Sequence, residues 1–515
     1  EVNYDPVITS NGGGATAGIN VDENTTAVTT VTATDANPGD TLSYAISGKD
    51  AALLDIDSAT GELTFKDLPD FENPLDSDPD NNYEVTVTVS DGNGGSDTQD
   101  ITVTVNQVSD TGTAVFSNNT TTPQTSDWDG SSFGATTGTA SLLDTYRTMQ
   151  GADAPTRDEK IVVGIDASGN TSLLRWNGTT WTGIQMAGTV SETYWYGAEV
   201  AYEQLSGDAI MVWNDNSQPA GDKLRYAIWD GSSWSAPQSI SAYTGAEPQN
   251  LRLAFDPGSD TMVLVVDDVN ADDYALVWDG NSWGNAITLD TTGTLESDQS
   301  AIAVSFEAQS GHAMVSYGIN GSADVYYRIW DGSSWSTQSS VTAPAGVTGD
   351  AAWLVTATDY TSDRIALAAM STAGEVWLSV WDGTTWEAPV LAETGSTGTI
   401  YPNLAVAFES TTDDALATYG QSGQNDFKYR TWDAASGWSA EFSGPGIGAT
   451  SNTMTLDSGP TSDHIMLSVQ DNANDLHFLN WDGSAWGTDN ELSTNTGEVK
   501  NQPFVFIYDQ DGLLV

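Results

Sequence analysis

The 515-residue sequence contains no cysteine, three histidines and only 14 lysines and arginines. The missing cysteine excludes a disulfide framework, thiolate catalysis and cysteine-ligated zinc or iron–sulfur sites. His312, His464 and His477 are scattered along the chain, which argues against a multi-histidine transition-metal centre. Against so few cations stand 72 aspartates and glutamates, a formal net charge of -58. Such a surface repels a phosphate backbone, so nucleic acid is excluded as a partner. Apolar runs near the ~18–20 residues that span a bilayer are lacking, as is any basic amphipathic stretch, so direct membrane insertion is not expected. Methionine and an apolar leader are absent at the start, and the chain is expected to be a mature product that has lost a targeting peptide. No segment reads as a helix. What remains is a carboxylate-rich β chain whose charge must be screened by salt or neutralised by bound cations, Ca²⁺ above all.

Tryptophan is missing from the first 110 residues, and all 19 copies lie beyond. A domain break is therefore expected near residue 110, giving domains 1–110 and 111–515. The polar stretch 107–127, QVSDTGTAVFSNNTTTPQTSD, reads as the junction. In the first domain TTAVTTVTATD, GELTFKDL and YEVTVTVSDG alternate β-branched or aromatic residues with polar ones between turn residues. About seven such segments in about 100 residues predict an immunoglobulin-like β-sandwich without its disulfide.

VDEN (21–24), ATDAN (33–37), IDSATGELTF (56–65), PDFEN (69–73) and YEVTVTVSDG (83–92) follow one another in an order that resembles a bacterial cadherin-like repeat. The resemblance implies calcium ligation at one pole by Glu23, Asp70 and Glu72. It also implies that Asp35 and Asn37 serve an ion shared with whatever precedes the repeat. The linker VNQVSD (105–110) departs from the family's Asp-x-Asn-Asp-Asn pattern, so one or two ions are expected rather than three. Independently of the resemblance, Asp76, Asp78 and Asp80 occupy alternate positions of one loop. Their mutual repulsion suits a cation with six to eight oxygen ligands, although such loops also simply solvate acidic proteins.

The remainder repeats. WDGSSF at Trp128 is followed by WNGTTW at Trp176, WDGSSW at Trp229, WDGNSW at Trp278, WDGSSW at Trp330, WDGTTW at Trp381, WDAASGW at Trp432 and WDGSAW at Trp481. These units recur every 48 to 53 residues, and 15 of the 19 tryptophans begin or end one. Each reads as a tight hairpin turn: Asp-Gly opens it, Gly supplies a positive φ, Ser or Thr bonds the local backbone, and the aromatics meet across the ladder. A second hairpin precedes each unit, as in NLRLAFDPGSDTMVLVV. Four short strands per ~50 residues predict the blades of a β-propeller. Eight blades are expected, the last a composite of an N-terminal hairpin (122–138) and a C-terminal hairpin (502–515) whose final strand is Leu513, Leu514 and Val515. Pairing of N- and C-terminal strands then removes exposed sheet edges.

The repeat resembles Asp-box hairpins of sialidase-like propellers and the Trp-rich blades of lectin propellers, although here Asp and Gly are adjacent. A sialidase needs three arginines around a substrate carboxylate. Arg225, Arg328 and Arg430 occupy equivalent strands of separate repeats, which suits a recurring structural role, so no enzyme is expected. Glu199, Glu203 and Glu307 fall on inner hairpins and are expected to line a hydrated channel. The paired tryptophans read as cement between blades; Trp195, Trp213, Trp353 and Trp377 stand outside the pattern and are the candidates for a glycan-facing site. The whole combination resembles bacterial calcium-rich adhesins, sheath proteins and surface-fibre subunits. The first expectation is an extracellular, calcium-stabilised adhesive or structural surface protein that self-associates or binds other cell-surface proteins. Strand addition through EVNYDPVITS or the final strand is one route to such assembly. The alternative is a soluble glycan-binding, lectin-like propeller; a sialidase-like glycoside hydrolase ranks third.

Overall fold

The computed structural model describes residues 2–23, 25–69, 71, 74–106, 110–190, 196–292, 299–396, 401–497 and 502–510. The chain divides into two compact units, Glu1–Ser109 and Asp110–Val515. Both are all-β, and a short 3-10 turn at Asn11–Gly13 is the only helix among the described residues.

In the first unit Thr16–Asp22, Ser96–Asn106, Asn82–Ser90 and Ser43–Ser47 form one sheet, and Ala27–Thr30, Glu62–Phe65 and Leu54–Ile56 form another. Alternation makes the core: Tyr83, Val85, Val87 and Val89 point inward from one strand and pack with Leu63, Phe65, Ile101 and Val103. The segment expected to be free for strand addition is paired at home. Val7–Ile8 lies antiparallel to Ala33–Thr34, and Ile8 N donates to Asp97 at 2.8 Å.

Among its described residues the second unit forms eight antiparallel sheets, first to eighth in chain order. In the second to eighth the strands follow one another in sequence, for example Pro248–Phe255, Thr261–Asp268, Asp273–Asp279 and Trp283–Asp290 in the fourth. The first sheet differs from expectation. It takes three strands from the start of the unit, Gly112–Phe116, Gln124–Trp128 and Thr137–Gly138, and one from the end, Phe504–Tyr508. Gly112–Phe116, inside the stretch read as a junction, pairs with Phe504–Tyr508 in the register Gly112↔Tyr508. All five of its residues are buried, so it lacks the alternation that marks a half-buried strand. The expected last strand, Leu513, Leu514 and Val515, lies outside the described residues.

Tyr146–Asp153, Ala198–Tyr202, Pro248–Phe255, Ile302–Phe306, Ala351–Thr358, Leu404–Phe408, Ser451–Ser458 and Phe504–Tyr508 are the first strands of their sheets. Each packs beside the next, and Phe504–Tyr508 packs beside Tyr146–Asp153. This is a β-propeller arrangement.

The repeated hexapeptide behaves as its chemistry dictates. In WDGSSW the Asp230 carboxylate accepts the amides of Ser232 and Ser233 at 2.8 and 2.7 Å, Gly231 takes φ 84°, and Trp229 and Trp234 meet with ring centroids 5.6 Å apart. WDAASGW holds an extra residue, and its positive φ moves to Gly437. The first Trp of a unit is cement between sheets. Trp229 donates to Glu159 at 2.9 Å, Trp278 to Glu203 at 2.5 Å, Trp381 to Glu307 at 2.6 Å and Trp481 to Glu409 at 2.7 Å, in each case a glutamate of the preceding sheet. Glu203 and Glu307, expected in a hydrated channel, are thus buried indole acceptors instead. Arg328 and Arg430 each donate to a backbone carbonyl beyond the turn, Ser336 O at 2.7 Å and Ser439 O at 2.6 Å. Arg225 does the same to Pro237 O at 2.7 Å, so all three act within their own sheets.

Candidate functional site

The acidic groups of the first unit gather in two places. Asp35, Asp40 and Asp91 bring carboxylate oxygens within 4.8 Å of one another. Asp35 Oδ1 accepts Asn37 N at 2.6 Å, while Asp35 Oδ2 and Asp40 Oδ2 are buried without a hydrogen-bond partner. Asp91 ends the strand Asn82–Ser90, where Oδ1 accepts Asn93 N and Gly95 N at 2.7 and 2.9 Å and Oδ2 accepts the Asn3 amide at 2.8 Å. The sequence pattern paired Asp35 with Asn37, but Asn37 binds the N-terminal segment instead. Its Oδ1 accepts Tyr4 N at 2.7 Å and its Nδ2 donates to Val2 O at 2.9 Å. Asp40 and Asp91 were missed, although the PGD and SDG turns that carry them were visible. Glu23 is buried and accepts Phe71 N at 2.9 Å; Asp70 and Glu72 lie outside the described residues.

Asp76, Asp78 and Asp80 do come together, again within 4.8 Å. Asp76 is buried and accepts Asp80 N at 3.0 Å, and Lys49 pairs with Asp78 and approaches Glu84 at 3.5 Å. The protein's own ammonium therefore meets part of the charge of this loop. Three oxygens in such a cluster are half of what Ca²⁺ takes, with backbone and water oxygens able to supply the rest.

Of the four tryptophans outside the repeat, Trp195 lies outside the described residues. Trp213 and Trp377 are fully buried and belong to apolar clusters between sheets, Trp213 with Ile161 and Val163 and Trp377 with Ala301 and Val325. A fully buried indole offers no face to a solution ligand, so both are core residues rather than site residues. Trp353 is the one that reaches a cavity.

That cavity lies where the first strands of the sheets face one another, with residues of the second to eighth sheets and Gln502 on its wall and a volume of about 290 Å³. Its polar end is built by residues far apart in sequence. The Arg252 guanidinium sits 4.2 Å over the Tyr196 ring and 3.6 Å from the Glu199 carboxylate. Tyr196 meets Trp353 edge to face at 6.3 Å. Burial pushes the Glu199 carboxyl up to about 8, with Arg252 opposing, and pushes Asp457, also on the wall, up to about 7 against a hydrogen bond from Thr455. Near neutral pH these carboxyls can donate as well as accept hydrogen bonds and Arg252 donates, while Tyr196 and Trp353, 4% and 3% exposed, add only a small apolar area. Such a lining suits a polyhydroxylated ligand with alternating donors, acceptors and C–H faces.

Residues 18–106 match the model of the cadherin domain family. No curated protein matches the chain. Among solved structures, the BP39L lectin from Burkholderia pseudomallei is similar at 11% identity with a TM-score of 0.50, over 68% of this chain and 100% of the lectin. The fungal lectin of Aleuria aurantia, a six-bladed β-propeller, aligns at 14% identity with a TM-score of 0.38 over 69% of this chain and 98% of its own. The β-propeller domain of the Trilobed protease from Pyrococcus furiosus aligns at 11% identity with a TM-score of 0.39, over 69% and 98%. The share matched by the Burkholderia lectin is available only with the second unit, and at that identity the likeness is one of fold. Among the described residues no helix is long and apolar enough to cross a membrane.

Proposed function

We propose that this is an extracellular adhesion protein whose second unit is an eight-bladed propeller that binds glycan in its axial pocket, without catalysis. The observation that carries the reading is the cluster of Tyr196, Glu199, Arg252 and Trp353, which combines aromatic surface with buried polar groups in a cavity walled by seven of the sheets. The lectin named above shares the fold and adds to the case. The pairing of Gly112–Phe116 with Phe504–Tyr508 supports closure of the ring by strands from both ends of the unit. The first unit is a cadherin-like sandwich, and its groups Asp35–Asp40–Asp91 and Asp76–Asp78–Asp80 are where Ca²⁺ is expected to bind.

The test is a glycan array with the full chain, followed by calorimetry with the best binder. Arg252→Met and Trp353→Phe are expected to weaken binding at least tenfold while leaving the circular dichroism of the chain unchanged. Absence of binding to every glycan, or unchanged affinity in both variants, would sink the reading. Calcium is tested separately. A chelator is expected to lower the first unit's unfolding temperature and Ca²⁺ to restore it, and Asp91→Asn is expected to reduce that response. A melting curve indifferent to the chelator would remove calcium from the account.

A further inference from the structure

In the eighth sheet the strand His464–Asp471 turns into Leu476–Asp482. The turn brings one ligand atom each of Asp471, Asp475 and His477 within 4.8 Å of the other two. Asp471 is 0% and His477 2% exposed. His477 Nδ1 lies 2.9 Å from Asp489 Oδ2, a contact that orients the ring and turns Nε2 toward Asp471. Asp471 is held just as firmly: its Oδ1 accepts Ala473 N and Asp475 N, both at 2.9 Å, and Oδ2 faces the imidazole. Nε2 and Oδ2 are 3.8 Å apart, too far for a hydrogen bond. Both atoms are buried and neither has a hydrogen-bond partner.

Leaving a buried acceptor oxygen and a ring nitrogen facing each other unsatisfied costs about 1–3 kcal/mol for each group. Two bonds of about 2.0–2.2 Å to one ion span a gap of this size. Protonation of His477, which Asp471 and Asp489 favour against burial, sets one positive charge against three carboxylates, Asp471, Asp475 and Asp489, and leaves Nε2 3.8 Å from Asp471 Oδ2. A dication sets two charges against the same three. The site is peculiar to this sheet, because the position four residues before the first Trp of the unit is His477 here but Tyr274 in the fourth sheet and Trp377 in the sixth.

We infer that His477 Nε2, Asp471 Oδ2 and the Asp475 carboxylate bind one divalent transition-metal ion of the zinc class, with Asp489 as the positioning residue behind the imidazole. An imidazole among the ligands favours zinc and its neighbours over the oxygen-seeking Ca²⁺. None of its residues lines the axial pocket or belongs to the acidic groups of the first unit.

The full chain, stripped with a chelator and returned to excess Ca²⁺ so that oxygen-only groups are filled, is titrated with Zn²⁺ and then desalted for metal analysis. One zinc per chain is expected to be retained, with imidazole scattering at the zinc X-ray absorption edge. His477→Gln is expected to abolish retention. Asp489→Asn is expected to weaken affinity about 10–100-fold. Because His477 is buried, Asp475→Asn in the partly exposed turn serves as the second variant, with at least tenfold weaker binding and an unchanged circular dichroism spectrum. Failure to retain zinc in the presence of Ca²⁺, an edge spectrum without imidazole, or equal retention by both ligand variants would each overturn the assignment.

Discussion

The indole N–H of the first Trp in a unit has one task in four of the sheets: it satisfies a buried glutamate of the preceding sheet. Trp481 and Glu409 show the consequence. Glu409 is buried, its carboxyl is pushed up to about 8 by that burial, and it accepts from Trp481 and from Thr412. Trp481→Phe keeps most of the apolar area but removes one donor. The expected result is a loss of about 1–3 kcal/mol in unfolding free energy, read by denaturant titration. Thr412→Val, which removes the other donor, is expected to have a similar effect, and an unchanged midpoint in both variants would show that these bonds do not hold the sheets together. The roles of Glu203 and Glu307 were not legible in sequence for the same reason: an acid on an inner hairpin reads alike whether it faces water or an indole 74 or 75 residues away.

At the scale of the element, the fourth sheet carries an acid where six other sheets carry an uncharged residue. The position five residues before the first Trp is Thr171, Leu224, Val325, Val376, Phe427 and Leu476 in the second, third and fifth to eighth sheets, all buried. In the fourth it is Asp273, which is 8% exposed and lies directly opposite Asp267 on one side and Asp290 on the other. Asp267 receives an amide from Asn250 at 2.9 Å, whereas no described donor reaches the Asp273 carboxyl. Burial and these neighbours push it far above the ordinary carboxylate range. Like charges facing one another across strands destabilise a sheet, and a buried polar group without a partner costs about 1–3 kcal/mol. Asp273→Val is therefore expected to stabilise the second unit by about that amount, measured as a higher denaturation midpoint; a lower midpoint would mean that the carboxyl has a partner that stabilises it.

For the molecule as a whole, buried carboxyls dominate the response to pH. Glu199 and Glu409 stand at about 8, Asp267 and Asp457 at about 7 and Asp414 at about 6, each raised chiefly by burial. Between about pH 4 and those values the folded chain holds more protons than the unfolded one, so stability falls as pH rises. The hairpin-turn aspartates act in the opposite sense. Asp230, held at about 2 by the Ser232 hydroxyl and by backbone amides, contributes stability that is lost only as pH falls through the acid range. The unfolding temperature at fixed Ca²⁺ is therefore expected to peak near pH 5 and to decline toward pH 8. A flat profile, or a maximum above pH 7, would contradict the burial of these groups.

The sequence by itself determined the all-β character, the domain break, the hairpin chemistry and the period of the second unit. Those features depend on contacts within about ten residues or on a motif repeated eight times, and local backbone chemistry acts the same way in every copy. It also placed Asp76, Asp78 and Asp80 together, because one loop holds all three. Only the tertiary structure decided which strands complete the first sheet, since a fully buried strand such as Gly112–Phe116 carries no alternation to read. Only it assembled the axial pocket, whose Glu199, Arg252 and Trp353 lie on three sheets, and joined Asp35 to Asp40 and Asp91. Sheet packing and ring curvature set those distances, and no spacing in a linear sequence encodes them.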